Sequence, residues 1–486
     1  MALVAVLVLA GCGGKAPSGG GGSSEGGGLT LWTHNAGNKE ELAIVNQIVS
    51  DYNASQTKNQ VKVQAFPQAA YNDAVTAAAT SKKLPCILDM DAPIVPNWAW
   101  AGYLAKLDLP QDVVDKQLPS TLGKWKDQLY SIGYYDAALG LFARKSALDA
   151  AGIPVATVDK PWTAQEFDQA LQKIKASGKY DYVLDLGTGD PTPEWWTYGY
   201  SPFLQSFGGD LIDRNTYTTA SGVLNGDKAM AWANWFQGLV KNKYTPAKSG
   251  TDPFADFVNG KSAMVWSGSW SATNLKKVKD GVVMPPPDFG AGPKIGGGSW
   301  QWGISSGCQN TAGALDYLKF SLQPKYLSQF VTKLNLIPAT EETAAMSPGW
   351  EQGGDKRFFL DESQKFALIR PPTPAYPYIT TTFAKAAQDI VAGGDAKKIL
   401  DQLEGEYYSM RQVAEICDVH IETLRRLCRT SKINAPSKAT RMGQVIIYLF
   451  TPDDLEEVKN YFAGKEKKQT EIEAKVHGNS KAKKVQ

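Results

Sequence analysis

The sequence has little of what most metalloenzymes, nucleotide-dependent enzymes and membrane-spanning proteins require. It contains only three histidines and five cysteines among 486 residues. It has no His-x-x-x-His pair and no phosphate-binding loop of the Gly-x-x-x-x-Gly-Lys-Ser/Thr type. Its one long apolar run, residues 2–10, falls short of the roughly 20 residues that span a bilayer. We therefore predict no cofactor and no metal site, and we do not expect an enzyme.

The net charge is also small, at +2, which gives no case for nucleic-acid binding by the chain as a whole. The charge is unevenly distributed, however. Residues 407–486 contain 15 Lys and Arg against 10 Asp and Glu, whereas the remainder contains 36 against 39. Such an asymmetry indicates a different role for one end. With 43% hydrophobic residues, the chain is long enough to bury the cores of two to four domains.

The N-terminus predicts export and lipid attachment. Residues 2–10 have the length of a signal-peptide core, about 7–15 residues. The sequence Leu-Ala-Gly-Cys that ends at Cys12 resembles the bacterial lipobox, in which the cysteine becomes the new N-terminus and carries lipid. Residues 13–28 are mostly Gly and Ser, which is typical of a flexible tether. We expect residues 1–12 to be a lipoprotein signal, Cys12 to be lipidated, and the protein to lie on the extracellular face of the cell membrane.

The other cysteines leave their state open. Cys86 and Cys308 lie in the exported part, where oxidation is permitted, so they either form a disulfide or remain two separate buried thiols. Cys417 and Cys428 lack a second pair of ligands at the spacing of a zinc site, and metal binding there is not predicted.

Residues 29–405 alternate strand-like and helical runs. Hydrophobic periodicity predicts strands over 29–32, 61–66 and 86–90, and helices over 40–52, 70–80, 163–177, 226–240, 312–321, 324–334 and 383–391. Thr163, with Glu166 three residues further on, indicates a capping box. The strand–helix–strand order predicts an α/β fold with parallel strands.

Several segments of this part occur in an order that resembles the extracellular solute-binding proteins of sugar ABC transporters. They are residues 31–34, 84–91, 133–145, 151–154, 161–166, 207–210, 257–264, 268–270 and 297–305. The resemblance implies a two-lobed periplasmic-binding-protein fold with a hinge. It also implies capture of a carbohydrate by closure of the lobes, followed by delivery to an ABC transporter permease in the membrane.

The chain is rich in the side chains that such a ligand needs. Aromatic rings stack on the apolar faces of sugars, while carboxylates and amides bind the hydroxyls, and the chain has 14 Trp. Ligands of α/β sheets lie beyond the carboxyl ends of the strands, and a ligand that drives closure needs contacts from both lobes. The predicted contacts are Trp32, His34, Asp91 and Trp300 in the first lobe, Trp195, Trp196 and Trp270 in the second, and Asp136.

Other interpretations of these residues remain open. Each Trp also suits ordinary packing, His34 suits a helix cap, and Asp91 and Asp136 suit loop caps. A secreted glycoside hydrolase would likewise offer Trp and paired carboxylates, about 5–9.5 Å apart, in a cleft. The lipobox, the tether and the lack of a catalytic segment favour capture over hydrolysis.

Residues 406–463 predict a separate small domain. A helix over 408–417, a turn over 418–420 and a second helix over 421–430 have the spacing of a helix-turn-helix. With the wing strand over 445–450, and a further helix opened by Thr451 and Pro452, this stretch resembles the MerR-like and excisionase DNA-binding families. The resemblance implies a winged helix-turn-helix whose candidate DNA contacts are Arg425, Arg426, Arg429, Lys438 and Arg441. The alternative is a helical protein-interaction module, and residues 464–486 are expected to be a disordered basic tail.

A lipid-anchored extracellular protein and a DNA-binding domain are hard to reconcile in one mature chain. An artificial chimera, a fused gene, or a domain that has lost DNA binding would each explain the combination. The join is predicted near Gly405, where the last helix of the solute-binding part is cut short. A DNA-binding regulator that acts through the C-terminal domain is a further alternative for the whole chain.

Overall fold

The structure is a computed structural model that describes residues 28–354, 356–403, 408–409, 413, 417, 419–430, 432–434, 438–442, 445–450 and 453–464. Cys12, nearly all of the tether and all but the first residue of the predicted basic tail lie outside these ranges, so their expectations stay predictions. None of the helices in the described ranges is both long and apolar enough to cross a membrane.

The chain begins in a first lobe, continues into a second, returns to the first and ends its α/β part in the second. The first passage contains β1 (Leu29–Thr33), α1 (Lys39–Ser55), β2 (Val61–Ala65), α2 (Gln68–Thr80), β3 (Ile87–Asp91), α3 (Val95–Trp100), α4 (Gln111–Asp115), β4 (Leu122–Trp125), β5 (Gln128–Gly133) and β6 (Tyr135–Asp136). The second contains β7 (Leu139–Arg144), α5 (Lys145–Ala150), α6 (Ala164–Ala176), β8 (Tyr182–Asp185), α7 (Pro193–Ser206), α8 (Asp227–Lys241), α9 (Pro253–Val258), β9 (Ser262–Gly268), α10 (Ala272–Leu275), β10 (Gly281–Met284) and β11 (Ile295–Gly297).

The return passage contains β12 (Trp300–Ile304), α11 (Thr311–Ser321), α12 (Pro324–Leu334), β13 (Ile337–Pro338) and α13 (Glu341–Ala345). The last passage contains α14 (Arg357–Phe366), β14 (Ala367–Ile369), α15 (Tyr376–Val391) and α16 (Ala396–Asp401). The C-terminal part contains β15 (Tyr408–Ser409), α17 (Ile421–Arg429), β16 (Lys438–Met442), β17 (Val445–Phe450) and α18 (453–464).

A six-stranded mixed sheet forms the first lobe, with the spatial order β2-β1-β3-β12-β5-β4. Strands β1, β2 and β3 are parallel, as predicted, whereas β12 runs antiparallel to both β3 and β5. The direction of β12 was not predicted; it follows from the return path, because the chain enters β12 directly from the second lobe, at the edge where β3 ends. Apolar side chains cover both faces of this sheet, since α1, α11 and α12 pack on one face and α2 and α3 on the other.

A four-stranded sheet with the order β10-β7-β9-β8 forms the second lobe. Its core is continuous from β7 and β9 to helices α6, α7, α8 and α15. The predicted capping box is confirmed here: the Thr163 side chain accepts from the Glu166 backbone N–H, and the Glu166 carboxylate accepts from the Thr163 N–H. The predicted helix over 383–391 is correct in type but too short, because α15 already begins at Tyr376, with Pro377 in its first turn.

The chain crosses between the lobes three times, between β6 and β7, between β11 and β12, and from β13 to α14. These crossings pair with one another in two short two-stranded sheets, β6 with β13 and β11 with β14.

A disulfide joins Cys86, just before β3, to Cys308, just after β12. It settles the alternative left open by the sequence, and it lies entirely within the first lobe.

The C-terminal part has its own small core, which is formed by Val413, Leu424, Leu427, Ile433, Phe450, Leu455 and Val458. Strand β17 lies between β15 and β16 and pairs antiparallel with both. The predicted strand over 445–450 and the helices after it and over 421–430 are present. The helix predicted from Tyr408 is wrong at its start, because Tyr408 and Ser409 pair with Phe450 and Leu449 as strand β15.

Candidate ligand-binding cleft

The boundary between the lobes gathers the ends of several strands. From the first lobe come the carboxyl ends of β1 and β3 and the start of β12, where Trp300 lies opposite Asp91. From the second lobe comes the end of β9, whose Gly268 pairs with Leu139, and the segment after it, whose Ser269 N–H donates to the Ala138 carbonyl of the first crossing. This is the edge at which α/β sheets bind ligands.

His34 forms a compact polar and aromatic group on the first-lobe side. Its Nδ1 lies 2.7 Å from Oδ2 of Asp89, and the same carboxylate oxygen accepts from the Thr33 hydroxyl at 2.7 Å. The imidazole stacks on the Trp300 ring, with 3.3 Å between ring centroids and 9° between planes. The Tyr71 hydroxyl donates to the backbone carbonyl of Asp89 at 2.8 Å, and this hydrogen bond holds the carboxyl end of β3 in place. One face of Trp300 is therefore held by His34, and His34 is held by Asp89.

Burial and charge oppose each other at this group. Burial lowers the pKa of His34, but the Asp89 carboxylate outweighs it, so that the pKa of His34 is raised above its ordinary value. Burial raises the pKa of Glu41, which accepts a hydrogen bond from the hydroxyl of Tyr135. The Asp89 carboxylate therefore favours the protonated form of His34.

An aromatic surface lies on the second-lobe side. Trp270 is 41% exposed, and its ring covers Gly268, where any Cβ atom would lie about 2.1 Å from a ring carbon. The Trp195 ring contacts the Trp270 ring edge to face, with 6.5 Å between centroids. The Tyr198 ring also lies beside Trp270, with 6.4 Å between centroids and 33° between planes. The Trp195 indole N–H donates to the Gly187 carbonyl at 3.1 Å, which fixes that ring. Glycine at position 268 thus lets a large, exposed aromatic face lie flat at the lobe edge.

Arg370 lies between these two surfaces and is only 4% exposed. Its Nη1 and Nη2 donate to Oδ2 and Oδ1 of Asp91, each at 2.9 Å, and Nη2 also donates to the Gly298 carbonyl at 2.7 Å. Nη1 forms a second ion pair with Glu194. Burial disfavours the charge on Arg370, but Asp91 and Glu194 outweigh it and raise its pKa further.

The structure brings most of the predicted contacts to this boundary. Trp300, His34 and Asp91 lie on the first-lobe side of the boundary, and Trp195 and Trp270 lie on the second-lobe side. Their contact with a ligand stays a prediction.

The remaining three predicted contacts have other surroundings. Trp32 is half-buried against Phe66, 4.6 Å between ring centroids. Trp196 is in the core of the second lobe, with its indole N–H donating to the Asp190 carbonyl at 2.8 Å. Asp136 is fully buried in the first crossing, where its Oδ1 accepts from the Ala137 N–H, and burial raises its pKa. Adjacent Trp residues on a helix need not share an environment, because successive residues lie on different faces.

Arg370 and Tyr198 were missed by the sequence interpretation. Arg370 follows a three-residue strand and precedes Pro371, a context without periodicity, and its place depends on the pairing of β14 with β11. Tyr198 lies on α7, whose long apolar run predicts only a buried helix. Within the described ranges, no group of three His, Cys, Asp or Glu side chains is arranged to hold a metal ion.

Comparison with known proteins identifies the family. The sequence profile of the bacterial extracellular solute-binding proteins matches residues 47–356, which is more than half of the chain. An uncharacterized lipoprotein from the oleD 5' region of Streptomyces antibioticus is 23% identical over 374 residues, covering 72% of this chain and 79% of that protein. This family consists of binding proteins, which agrees with the expectation that the chain is not an enzyme.

Solved structures show the same two-lobed fold. The GacH receptor of Streptomyces glaucescens superposes with a TM-score of 0.66 at 22% identity, covering 78% of this chain and 96% of that one. The sugar-binding protein MalE from Xanthomonas citri superposes with a TM-score of 0.65 at 16% identity, covering 84% and 99%. From the profile match and this shared architecture, the chain belongs to the bacterial extracellular solute-binding proteins.

Proposed function

We propose that this protein captures a carbohydrate between its two lobes and serves as the sugar-binding component of an ABC importer. The observation that carries the proposal is Trp270, a large aromatic side chain left 41% exposed at the lobe edge beside Trp195 and Tyr198. An exposed Trp beside Trp195 and Tyr198 suits the flat C–H face of a pyranose. Polar groups on both sides of the boundary suit the ring of hydroxyls.

The similar structures support this class of ligand. The GacH receptor was solved in complex with acarbose and an acarbose homolog, and the Xanthomonas protein is a sugar-binding protein. We extend this ligand class, a carbohydrate, to this chain. In this proposal Trp270 and Trp195 stack on the ligand from the second lobe, and Trp300 and His34 contact it from the first.

Capture requires movement rather than chemistry. Three chain crossings with short paired strands suit a hinge, and a ligand that contacts both lobes favours the conformation in which they are close. The closed form then presents a surface of both lobes together, which a permease would distinguish from the open form.

Thermal-shift measurement of the full-length chain against a panel of mono- and oligosaccharides tests the proposal. A ligand at about 100 times its Kd should stabilise the protein by about 2.7 kcal/mol, because it binds only the folded state. Titration calorimetry should then give saturable binding with the sugar recovered intact. Absence of a shift with every sugar would contradict carbohydrate binding, and release of new reducing ends would favour the glycoside hydrolase instead.

Lipid attachment at Cys12 is the second part of the proposal. It rests on the lipobox, on the Gly- and Ser-rich tether, and on the similar Streptomyces antibioticus protein, which is itself named a lipoprotein. Mass spectrometry of the protein extracted from bacterial membranes should find lipid on Cys12 as the first residue. A Cys12→Ser variant should be released from the membrane fraction, and an unchanged distribution would contradict the anchor.

For the C-terminal domain we propose DNA binding as a second candidate function. It is favoured by α17, in which Leu424 and Leu427 are buried while Arg425, Arg426 and Arg429 are exposed. Glu422 on the same helix forms an ion pair with Arg425. Lys438 and Arg441, also proposed as contacts, lie on β16 next to the wing strand.

Fluorescence anisotropy of the full chain with duplex DNA at two salt concentrations tests this candidate. Each phosphate contact should make the slope of log K against log salt more negative by about 0.9, and replacing the three arginines of α17 with alanine should abolish binding. If no binding is seen at low salt, the module is not a DNA-binding domain, and the protein-interaction alternative gains support.

A further inference from the structure

Arg370 and Asp91 form an ion pair that crosses the lobe boundary. Asp91 is the last residue of β3, in the first lobe. Arg370 directly follows β14, which pairs with β11, and β11 packs on α7 of the second lobe. The two hydrogen bonds of 2.9 Å join both guanidinium Nη atoms to both carboxylate oxygens, so the two planar groups lie side by side. This is the strongest geometry available to an arginine–carboxylate pair.

Arg370 is held firmly on the second-lobe side. Its guanidinium lies over the Tyr198 ring, 5.0 Å from the centroid, and it forms an ion pair with Glu194. Glu194 in turn accepts from the Tyr376 hydroxyl at 2.6 Å and from the Thr380 hydroxyl at 3.2 Å, both on α15. Arg370 therefore moves with the second lobe, and any separation of the lobes must break its contact with Asp91.

Breaking the Arg370–Asp91 contact is costly because both side chains are largely shielded from solvent. Arg370 is 4% exposed and the Asp91 side chain 16% exposed. Removing one partner of a buried pair leaves the other charge poorly compensated, which costs far more than the loss of a surface salt bridge. Both Asp91 oxygens also already accept from Arg370, so this carboxylate is committed to an internal partner in this conformation.

We propose that Arg370 is a positioning residue that holds the two lobes together before any ligand binds. Paired with Asp91, it increases the fraction of the ligand-free protein in which the two halves of the cleft lie close together. Its significance for sugar capture rests on the proposed function, but the ion pair itself does not. The ligand then meets a partly assembled site, which lowers the cost of closure that its own contacts must meet. Asp91, predicted as a sugar contact, acts on the ligand through this pair.

The aromatic surface adjoins the ion pair directly. Tyr198 contacts Arg370 on one side and lies 6.4 Å from Trp270 on the other, and its hydroxyl donates to the Ala137 carbonyl of the first crossing at 3.0 Å. A ligand stacked on Trp270 is thus separated from the interlobe ion pair by a single ring.

Distance measurement between the lobes of the ligand-free, full-length chain tests the proposal. Fluorophores are placed through non-natural amino acids at Asn72 on α2 and Lys173 on α6, two exposed positions in different lobes. Single-molecule energy transfer then reports the distribution of interlobe distances. Arg370→Gln and Asp91→Asn should each increase the population with the longer distance about tenfold or more. Circular dichroism and melting curves verify that both variants are folded. If Arg370→Gln does not fold, Asp91→Asn alone tests the proposal, because asparagine has nearly the same shape as aspartate.

A control variant separates the boundary contact from general loss of a charge. Arg357→Gln removes an arginine that pairs with Glu341 and Asp361. It should keep the wild-type distances. Unchanged distances in folded Asp91→Asn would overturn the proposal, as would an equal opening in Arg357→Gln. Because no sugar is present, failure of the carbohydrate proposal leaves this result unaffected.

Discussion

Trp270 is a side chain whose exposure is hard to explain by stability alone. It covers Gly268 with one face and leaves the other to solvent. Trp270→Ala should therefore weaken sugar binding about 10- to 100-fold, since aromatic stacking contributes on the order of 1–3 kcal/mol, while hardly changing the melting temperature. Titration calorimetry with the best sugar of the panel provides the measurement. Trp125→Ala, on β4 beside Lys126, is the matched control and should bind normally. Equal loss of affinity in both variants would contradict a stacking role.

Glu362, in contrast to the exposed Trp270, is a buried carboxyl group without a hydrogen-bond partner among the described residues. It is fully buried on α14, neither of its oxygens has a hydrogen-bond partner among the described residues, and burial raises its pKa well above the ordinary value. The folded state therefore retains a proton that the unfolded chain releases as the pH rises above about 4.5. Stability from this group is fully present below that pH and is lost progressively as the pH rises towards the folded-state pKa.

Glu362→Gln should remove this loss, because the amide stays neutral at every pH. The melting temperature of the variant should match the wild type near pH 4.5 and exceed it increasingly towards pH 8, with about 1.4 kcal/mol for each unit by which the pKa is raised. Glu342→Gln, at an exposed position of α13, serves as the control and should show no such trend. A difference independent of pH would mean that Glu362 releases its proton as readily in the folded protein as in the unfolded chain, which would contradict the raised pKa.

At the scale of single elements, α6 offers a test of local sequence signals. Thr163→Ala removes the side chain that caps its first turn and should lower the free energy of unfolding by about 1 kcal/mol. Glu166→Gln keeps the capping box, because an amide oxygen also accepts from the Thr163 N–H, and should cost less. Urea denaturation measures both, and sugar affinity should be unchanged. An equal cost for the two variants would show that the charge of Glu166, rather than the box, stabilises the helix.

Elements with complete local signals were the ones that sequence reasoning predicted well. Strand β1 has alternating burial, and α6 carries its own cap, so both followed from a few neighbouring residues. The direction of β12 and the strand at Tyr408 depend on which distant segment lies alongside, and no local pattern encodes that. The residues of the cleft fall into the same two classes, those with a local sequence signal and those whose place depends on a distant segment. The tryptophans of the cleft can be recognised from the sequence by residue type, whereas Arg370 acquires its role only when β14 pairs with β11.

At the scale of the whole molecule, the Cys86–Cys308 disulfide closes a loop with a sequence separation of 222 residues. Replacing both cysteines with serine should lower stability by about 2–5 kcal/mol, because the unfolded chain gains conformational freedom. Differential scanning calorimetry of the variant, and of wild type under reducing conditions, provides the comparison. Replacement of the free Cys417 and Cys428 is the control and should leave the melting of the two lobes unchanged. Equal melting of all forms would show that the bond contributes nothing to stability.

The position of that bond has a topological consequence. The disulfide closes a covalent ring that contains every residue of the second lobe from β7 to β11. This part of the second lobe is therefore inserted between two segments of the first lobe that the disulfide joins. A single backbone nick there, for example at a protease site introduced beside Gly222, opens the ring without releasing either piece. The nicked protein should migrate as one species on a non-reducing denaturing gel and fall into two after reduction. A protein exposed to extracellular proteases would, by this arrangement, keep both halves of its first lobe joined after a cut in the second.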